Sequence, residues 1–270
     1  MNCFFCGTMR DCSKYIDEVY SNVIEMASVF DDYKILIYYD VSQDNSLQKL
    51  QYYANINPRF FFYENKEPLH DLRTFRLAKG RNYLIDELNK ENGKYPYFIM
   101  IDWDNVSCGK VNIPLLRNSL MRHNEWDALS FWNSERYYYD IWALSIKPCI
   151  LSCYEFVKGY HKYLHYITKI RKASKGKYIP CYSAFGGLCI YKTAMFSNCV
   201  YNGNKDFSYI PKNLIDEQLQ IDGKSLIVSK KQIDGIYLEN EDCEHRIFHF
   251  MAISKNNARI RISPYSLLKQ

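Results

Sequence analysis

Apolar positions in the first hundred residues alternate between two rhythms. Short apolar runs, from Asn2 to Cys6, Tyr33 to Tyr39 (YKILIYY), Phe60 to Tyr63 and Tyr97 to Ile101 (YFIMI), predict four strands, the second buried on both faces. Between them Tyr15, Val19, Val23, Ala27 and Phe30 recur at helical spacing, and Ser46 to Tyr53 and Phe75 to Asn92 predict two further helices. Strand and helix in strict alternation predict the α/β class, a parallel sheet wrapped by helices. No repeat, low-complexity tract or Pro/Gly/Ser linker interrupts the chain. It therefore reads as one domain over residues 1–270, with a first half to about 105 and a second from about 106.

Ligands of parallel sheets lie at the carboxyl ends of the strands, so the polar residues just after each strand carry the candidate chemistry. Asp40 follows one strand, and Asp102-Trp103-Asp104-Asn105 follows another. No GxGxxG and no GxxxxGK[ST] follows any strand, which argues against a dinucleotide fold and against P-loop chemistry. Residues two apart in extended chain point the same way, so Asp102 and Asp104 can converge on one hard cation, magnesium or manganese. Such an ion keeps positions open for the two phosphates of a nucleotide diphosphate. The spacing fits a plain turn equally well, since Asp and Asn are ordinary turn residues. Arg76, Arg81 and Asn82 lie on the helix before this strand, where guanidinium groups suit phosphate; a solvated helix face explains them too.

Near the C-terminus, Glu241-Asp242-Cys243-Glu244-His245 precedes the apolar positions Ile247, Phe248, Met251 and Ala252. Asp242 reads as an N-cap, Glu244 falls in the first turn, and His245 and His249 share a helix face. A capped helix start with two packed histidines accounts for the same pattern.

Composition narrows the class. Hydrophobic residues make up 47% and charged residues 24%, a globular balance. The net charge of +5, from 35 basic and 30 acidic residues, does not by itself call for nucleic acid. The most basic stretch, Lys158 to Lys177, interleaves lysines and Arg171 with Tyr160, Tyr163 and Tyr166 and reads as a solvated helix and loop. No run of roughly 18 apolar residues predicts a membrane span, and the N-terminus lacks the pattern of a secretory leader. With ten cysteines, this predicts free thiols in a reducing, cytoplasmic compartment. Cys3 and Cys6 have CxxC spacing without a second pair, and with Cys149 and Cys153 read as core thiols.

The order RLAKGRNYLIDEL, YFIMIDWDNV, WDALSFWN with YYYDIWAL, YSAFGGLCIYK and DCEHRIFH resembles a metal-dependent GT-A glycosyltransferase. It is most similar to the branch holding fungal capsule-type mannosyltransferases and glycosyltransferase-like proteins of large DNA viruses. CFFCGTMRDCSKYI and ILIYYDVSQDNS resemble that family's first strand and nucleotide-side loop, so the resemblance runs from about Cys3 to Pro264. It implies a GT-A-like, mixed but mainly parallel sheet, and transfer of a hexose from a UDP- or GDP-sugar to a hydroxyl on a glycan or protein. Asp102 and Asp104 would hold Mn²⁺ or Mg²⁺ and the donor diphosphate, with His245 as a further ligand. Arg76, Arg81 and Asn82 match the donor-side helix, Asp40 and Ser42 the loop near base or ribose, and Gly186 and Gly187 the loop approaching donor sugar and acceptor. Tyr139, Asp140 and Trp142 would line the sugar pocket. Glu244 matches the acceptor's base, with Asp242 or Asp140 in reserve.

The lack of a leader pattern and the expected free thiols place the protein in the cytoplasm, or in a viral factory if it is viral. Its partners are a nucleotide-sugar and a glycan or glycoprotein acceptor, with no nucleic acid and no membrane span. Departures are Trp103 and Asn105 around the carboxylate pair, and a long basic insert before the glycines. Two other readings stay open. Gly7-Thr8-Met9-Arg10 faintly echoes a sugar-nucleotide pyrophosphorylase, without its Gly-rich run and downstream Pro and Lys. A non-catalytic, carbohydrate-binding member of the fold is the other. No motif specifies the donor sugar, base, acceptor or stereochemistry.

Overall fold

A computed structural model describes residues 1–132, 138, 140–147, 150, 160–222, 231–233, 236–238 and 241–269. Tyr139, Cys149, Cys153 and Lys158, named above, lie outside the described residues.

Eight strands of the described chain form one mixed sheet. They are β1 (Asn2–Met9), β2 (Asp32–Asp40), β3 (Phe60–Asn65), β4 (Tyr97–Ile101), β5 (Ala128–Phe131), β6 (Ile179–Cys181), β7 (Leu188–Lys192) and β8 (Ile260–Ser263). Their spatial order is β3-β2-β1-β4-β7-β5-β8-β6. β1 to β4 run parallel, as the alternation of strand and helix requires. β7 enters antiparallel between β4 and β5; β8 is parallel to β5, and β6 closes the edge antiparallel. The sheet thus continues from the first half of the chain into the second.

Helices α1 (Ile16–Ala27), α2 (Ser46–Ile56), α3 (Arg73–Lys90), α4 (Ile113–Met121), α5 (Tyr160–Ala173), α6 (Thr193–Phe196), α7 (Lys212–Asp222) and α8 (Glu244–Asn256) complete the described fold. Alternate residues of the strands feed two cores. Phe4, Leu36, Tyr38 and Phe98 pack with Leu84 and Leu88 of α3 and Phe248 of α8. Phe5, Ile35, Ile37 and Ile99 pack with Val19 and Val23 of α1, Leu50 of α2 and Leu116 of α4. Both faces of the central strands are covered, which is why these segments read as unbroken apolar runs.

β1 runs three residues beyond the predicted end at Cys6. Gly7 serves close packing: a Cβ there would run into the Ile101 carbonyl oxygen and stand 2.7 Å from the Trp103 ring. The absence of a side chain lets β1 and the end of β4 approach each other. α3 starts two residues before the predicted Phe75, because Thr74 turns inward to donate to buried Glu241 (Oγ1 to Oε1, 2.8 Å).

None of the described helices is long and apolar enough to cross a membrane. Eight described cysteines are free thiols, and burial pushes those of Cys3 and Cys6 upward. In the basic stretch, Arg171 is held rather than free: its Nε donates to the Pro264 carbonyl (2.8 Å), and its guanidinium lies 5.1 Å from the Trp132 ring centre.

Candidate functional site

The strand order reverses between β1 and β4, and the crevice opens outside their carboxyl ends, where open α/β sheets bind ligands. A cleft of about 220 Å³ lies there, with Arg10, Asp40, Arg73, Arg76, Asp102 and Asp104 on its walls. An adjoining hollow of about 330 Å³ shares Asp40 and Arg76 and continues to Tyr38, His70 and Phe75.

β4 delivers the two carboxylates by simple alternation. Trp103 is buried to 1% exposure, forms an edge contact with Phe60 (centroids 6.0 Å apart) and floors the cleft between Asp102 and Asp104, which border it. Asp104 caps the following 3₁₀ turn, Asn105–Ser107, by accepting from the Val106 N–H (3.0 Å). The Asp102 N–H donates to the Gly187 carbonyl at 2.8 Å. Gly186 and Gly187 both adopt positive φ, 68° and 81°, which brings the glycine loop against the carboxylate pair.

Burial pushes the Asp102 carboxyl up to about 7, and the charges of Asp104 and Asp140 push the same way; Arg81 and Arg73 oppose them. Two carboxylates at one strand end therefore leave an unmet demand for positive charge. Both offer hard oxygen donors, the chemistry that Mg²⁺ or Mn²⁺ accepts. No group of three or more His, Cys, Asp or Glu side chains with metal-holding geometry occurs among the described residues. A cation here would rest on Asp102 and Asp104 and draw its remaining ligands from a bound diphosphate and water, as magnesium sites commonly do.

The donor-side helix residues divide. Arg81 is buried and bridges two acids: Nη2 donates to Asp102 Oδ1 (3.0 Å), and Nη1 ion-pairs with Glu244. Arg76 borders the cleft and donates to the carbonyls of His70 and Asp71 (2.9 Å to the latter), which pins the loop before α3. Asn82 turns away from the cleft. Its amide donates to the Tyr201 carbonyl (2.9 Å) and accepts from the Tyr201 N–H (2.7 Å), tying α3 to that segment.

Arg73, which the sequence reading omitted, lines the cleft one turn before Arg76. The spacing of three from Arg76 was the available signal. Arg10, which the sequence offers only within the pyrophosphorylase echo, follows β1, and the parallel pairing of β1 with β4 brings it to the same cleft as the carboxylates.

Asp40 is buried at the end of β2, with one oxygen held by the Asn65 amide (Nδ2 to Oδ1, 2.8 Å). Ser42 is a loop fastener: its hydroxyl donates to the Asp40 carbonyl (3.2 Å) and accepts from the Asp11 N–H (2.8 Å), locking the β1 and β2 loops together.

The C-terminal constellation differs from its sequence reading at the cap. Cys243, not Asp242, occupies the N-cap of α8, and no side chain caps the helix. Asp242 sits one residue earlier because Arg246 claims its carboxylate, with Nε 2.8 Å from Oδ2. Arg246, itself buried, also donates to Ser145 Oγ and to the Trp142 carbonyl (2.6 Å). The Asp140 to Ser145 segment is thereby fastened to α8. Asp140 accepts from the Ala143 N–H (3.0 Å), has no ion pair among the described residues, and is raised by burial. Trp142 is half-buried and packs against the core.

His245 is buried and stacks on Phe185, centroids 3.8 Å apart, with neither ring nitrogen hydrogen-bonded within the described chain. Burial holds it well below its usual range, followed by the charge of Arg81, so the ring is neutral. His249 lies deeper, between the Ser183 hydroxyl (2.9 Å) and the Tyr191 hydroxyl (3.1 Å), a core polar network remote from the cleft.

No protein-family profile matches the sequence, and no curated protein matches it. Solved structures do. Residues 1–349 of S. aureus TarS, in complex with UDP, align over 100% of this chain with a TM-score of 0.50 at 13% identity. The same protein with UDP-GlcNAc aligns with a TM-score of 0.47 at 13% identity. The mannosyltransferase PcManGT from Pyrobaculum calidifontis, in complex with GDP-Man and Mn²⁺, covers 74% of this chain with a TM-score of 0.45 at 12% identity. This chain spans 60% of the UDP-bound TarS chain and 47% of PcManGT. The likeness to UDP-bound TarS is one of fold: a mixed α/β, GT-A-like architecture with a mainly parallel central sheet flanked by helices.

Proposed function

We propose that this protein is a glycosyltransferase that moves a hexose from a nucleotide-diphosphate sugar to a hydroxyl acceptor on a glycan or protein, with Mn²⁺ or Mg²⁺. The observation that carries this reading is the meeting of Asp102 and Asp104 with Arg73 and Arg76 in one cleft, at the point where the strand order reverses. Carboxylates for a cation and arginines for phosphate oxygens are the two halves of a diphosphate site. UDP bound to TarS supports the choice of ligand class.

In this reading Asp102 and Asp104 would hold the cation, and Arg73 and Arg76 would orient the phosphates of the donor. A bound divalent ion supplies Lewis-acid stabilisation of the charge developing on the leaving nucleoside diphosphate. Asp40 reaches the base or ribose where the cleft meets the adjoining hollow. The glycine loop of Gly186 and Gly187 braces Asp102 from behind, through the Asp102 N–H to Gly187 carbonyl bond and the close packing of Gly187 on Val106.

An inverting reaction needs a carboxylate to take the acceptor's proton. Glu244 and Asp242 each face a buried arginine. Asp140 has no ion pair among the described residues, and its raised affinity for protons suits a base. We assign that role to Asp140 ahead of the other two. A nucleotide-sugar screen with a panel of glycan acceptors tests the reading: transfer that needs Mn²⁺ and Asp104 supports it. Pyrophosphate-dependent exchange would favour a pyrophosphorylase instead, and binding without turnover a non-catalytic role.

A further inference from the structure

We propose that Glu244 is a positioning residue that holds Asp102 in place through Arg81. This inference rests on the donor-site reading and gives Glu244 a task other than taking the acceptor's proton. Three observations converge. Arg81 and Glu244 are only 2% and 3% exposed, so neither side chain is free to swing into the cleft. Arg81 is engaged at both ends of its fork, Nη1 in an ion pair with Glu244 and Nη2 in a hydrogen bond to Asp102. Its plane is boxed in by the rings of Phe185 (4.9 Å) and Tyr201 (5.8 Å), and its neighbour Asn82 is fixed to the Tyr201 backbone.

The chain of contacts runs from the first residue of α8, through α3, to the end of β4. A guanidinium is planar and rigid, so fixing one of its nitrogens fixes the other. Glu244 thereby sets where Arg81 presents Nη2, and Nη2 sets which Asp102 oxygen stays turned to the cleft. A lysine could balance the charge but could not transmit the geometry. Outer partners of this kind typically tune metal affinity about 10- to 100-fold.

The test uses isothermal titration of UDP and GDP in the presence of Mn²⁺, and of Mn²⁺ alone, into the whole protein. Wild type is compared with Glu244→Gln, Arg81→Lys and the double variant, and melting curves confirm that each is folded at the assay temperature. Positioning predicts that Glu244→Gln weakens Mn²⁺-dependent nucleotide binding about tenfold or more, that Arg81→Lys does the same, and that the double variant is no worse than Arg81→Lys alone. If Glu244→Gln melts below the assay temperature, Arg81→Lys carries the comparison.

Wild type that binds while Glu244→Gln binds equally well, with transfer abolished, overturns the inference and makes Glu244 the base. So does unchanged binding by Arg81→Lys. Wild type that binds no nucleotide overturns the donor-site reading, and this inference with it.

Discussion

The Asp102 N–H donates to the Gly187 carbonyl at 2.8 Å, so the strand-end carboxylate and the glycine loop are one rigid unit. Gly187 has φ +81°, and a Cβ there would stand 2.6 Å from Val106 Cγ1. Gly187→Ala therefore combines backbone strain with a clash and should cost about 1–3 kcal/mol. Adding Val106→Ala relieves only the clash, so the double variant should recover part of the loss. Thermal melts of the single and double variants check this; full recovery would show that backbone conformation is irrelevant at this position.

Burial outweighs Arg81 at Asp102, and the sign of the resulting pH dependence follows. Its folded-state value of about 7 lies above the ordinary 3.8. Its contribution to stability is thus fully present below about pH 4 and is lost as pH rises through 7. In EDTA, Asp102→Asn should melt higher than wild type at pH 8, by on the order of 2–4 kcal/mol or roughly 5–10 °C, with the gap closing toward pH 4. An Asn variant that is less stable than wild type at pH 8 would mean that the Arg81 pairing wins.

Asp242 and Asp140 should separate by phenotype. Asp242→Asn leaves the buried Arg246 guanidinium without its counter-charge, which costs about 3–5 kcal/mol. Asp140→Asn removes a carboxylate that has no ion pair among the described residues, so Tm should move little while turnover falls at least about 100-fold. Melting curves beside transfer rates distinguish the two; equal loss of Tm in both would end the assignment of Asp140 as base.

The two histidines of α8 offer a similar contrast. His245 has no hydrogen bond on either ring nitrogen within the described chain, so His245→Phe should leave Tm unchanged or raised. His249→Phe strips the Ser183 and Tyr191 hydroxyls of their shared partner and should cost about 1–3 kcal/mol. If His245→Phe also leaves Mn²⁺ affinity intact, the role of metal ligand that the resemblance suggested for it falls.

How far the sequence alone reached depends on which interactions are local. β1, β2 and β4 were legible because both of their faces are covered, making each an apolar run. Edge strand β3 was legible from its aromatic residues although Phe61 and Tyr63 are exposed, and the helices between them from their regular stripes. β5 to β8 were not, because they are three to five residues long and interleave out of chain order, as β7 does between β4 and β5. That Asp102 and Asp104 border one cleft is legible from strand alternation, a local rule. The cap of α8 falls one residue later than its pattern suggests because Arg246, four residues on and in the same helix, takes the Asp242 carboxylate. Asn82 was assigned to the donor side from its neighbours on α3, whereas a partner 119 residues away claims both ends of its amide.

Asp102 and Asp104 as the cation-dependent half of a diphosphate site can be tested by thermal shift with UDP, GDP and CMP and their common sugar conjugates, in Mn²⁺ and in EDTA, with wild type beside Asp104→Ala. One nucleoside diphosphate should raise the Tm of wild type only with Mn²⁺, and Asp104→Ala should not respond. A cooperatively melting wild type that responds to no nucleotide, or a response that survives EDTA and Asp104→Ala, would overturn this assignment.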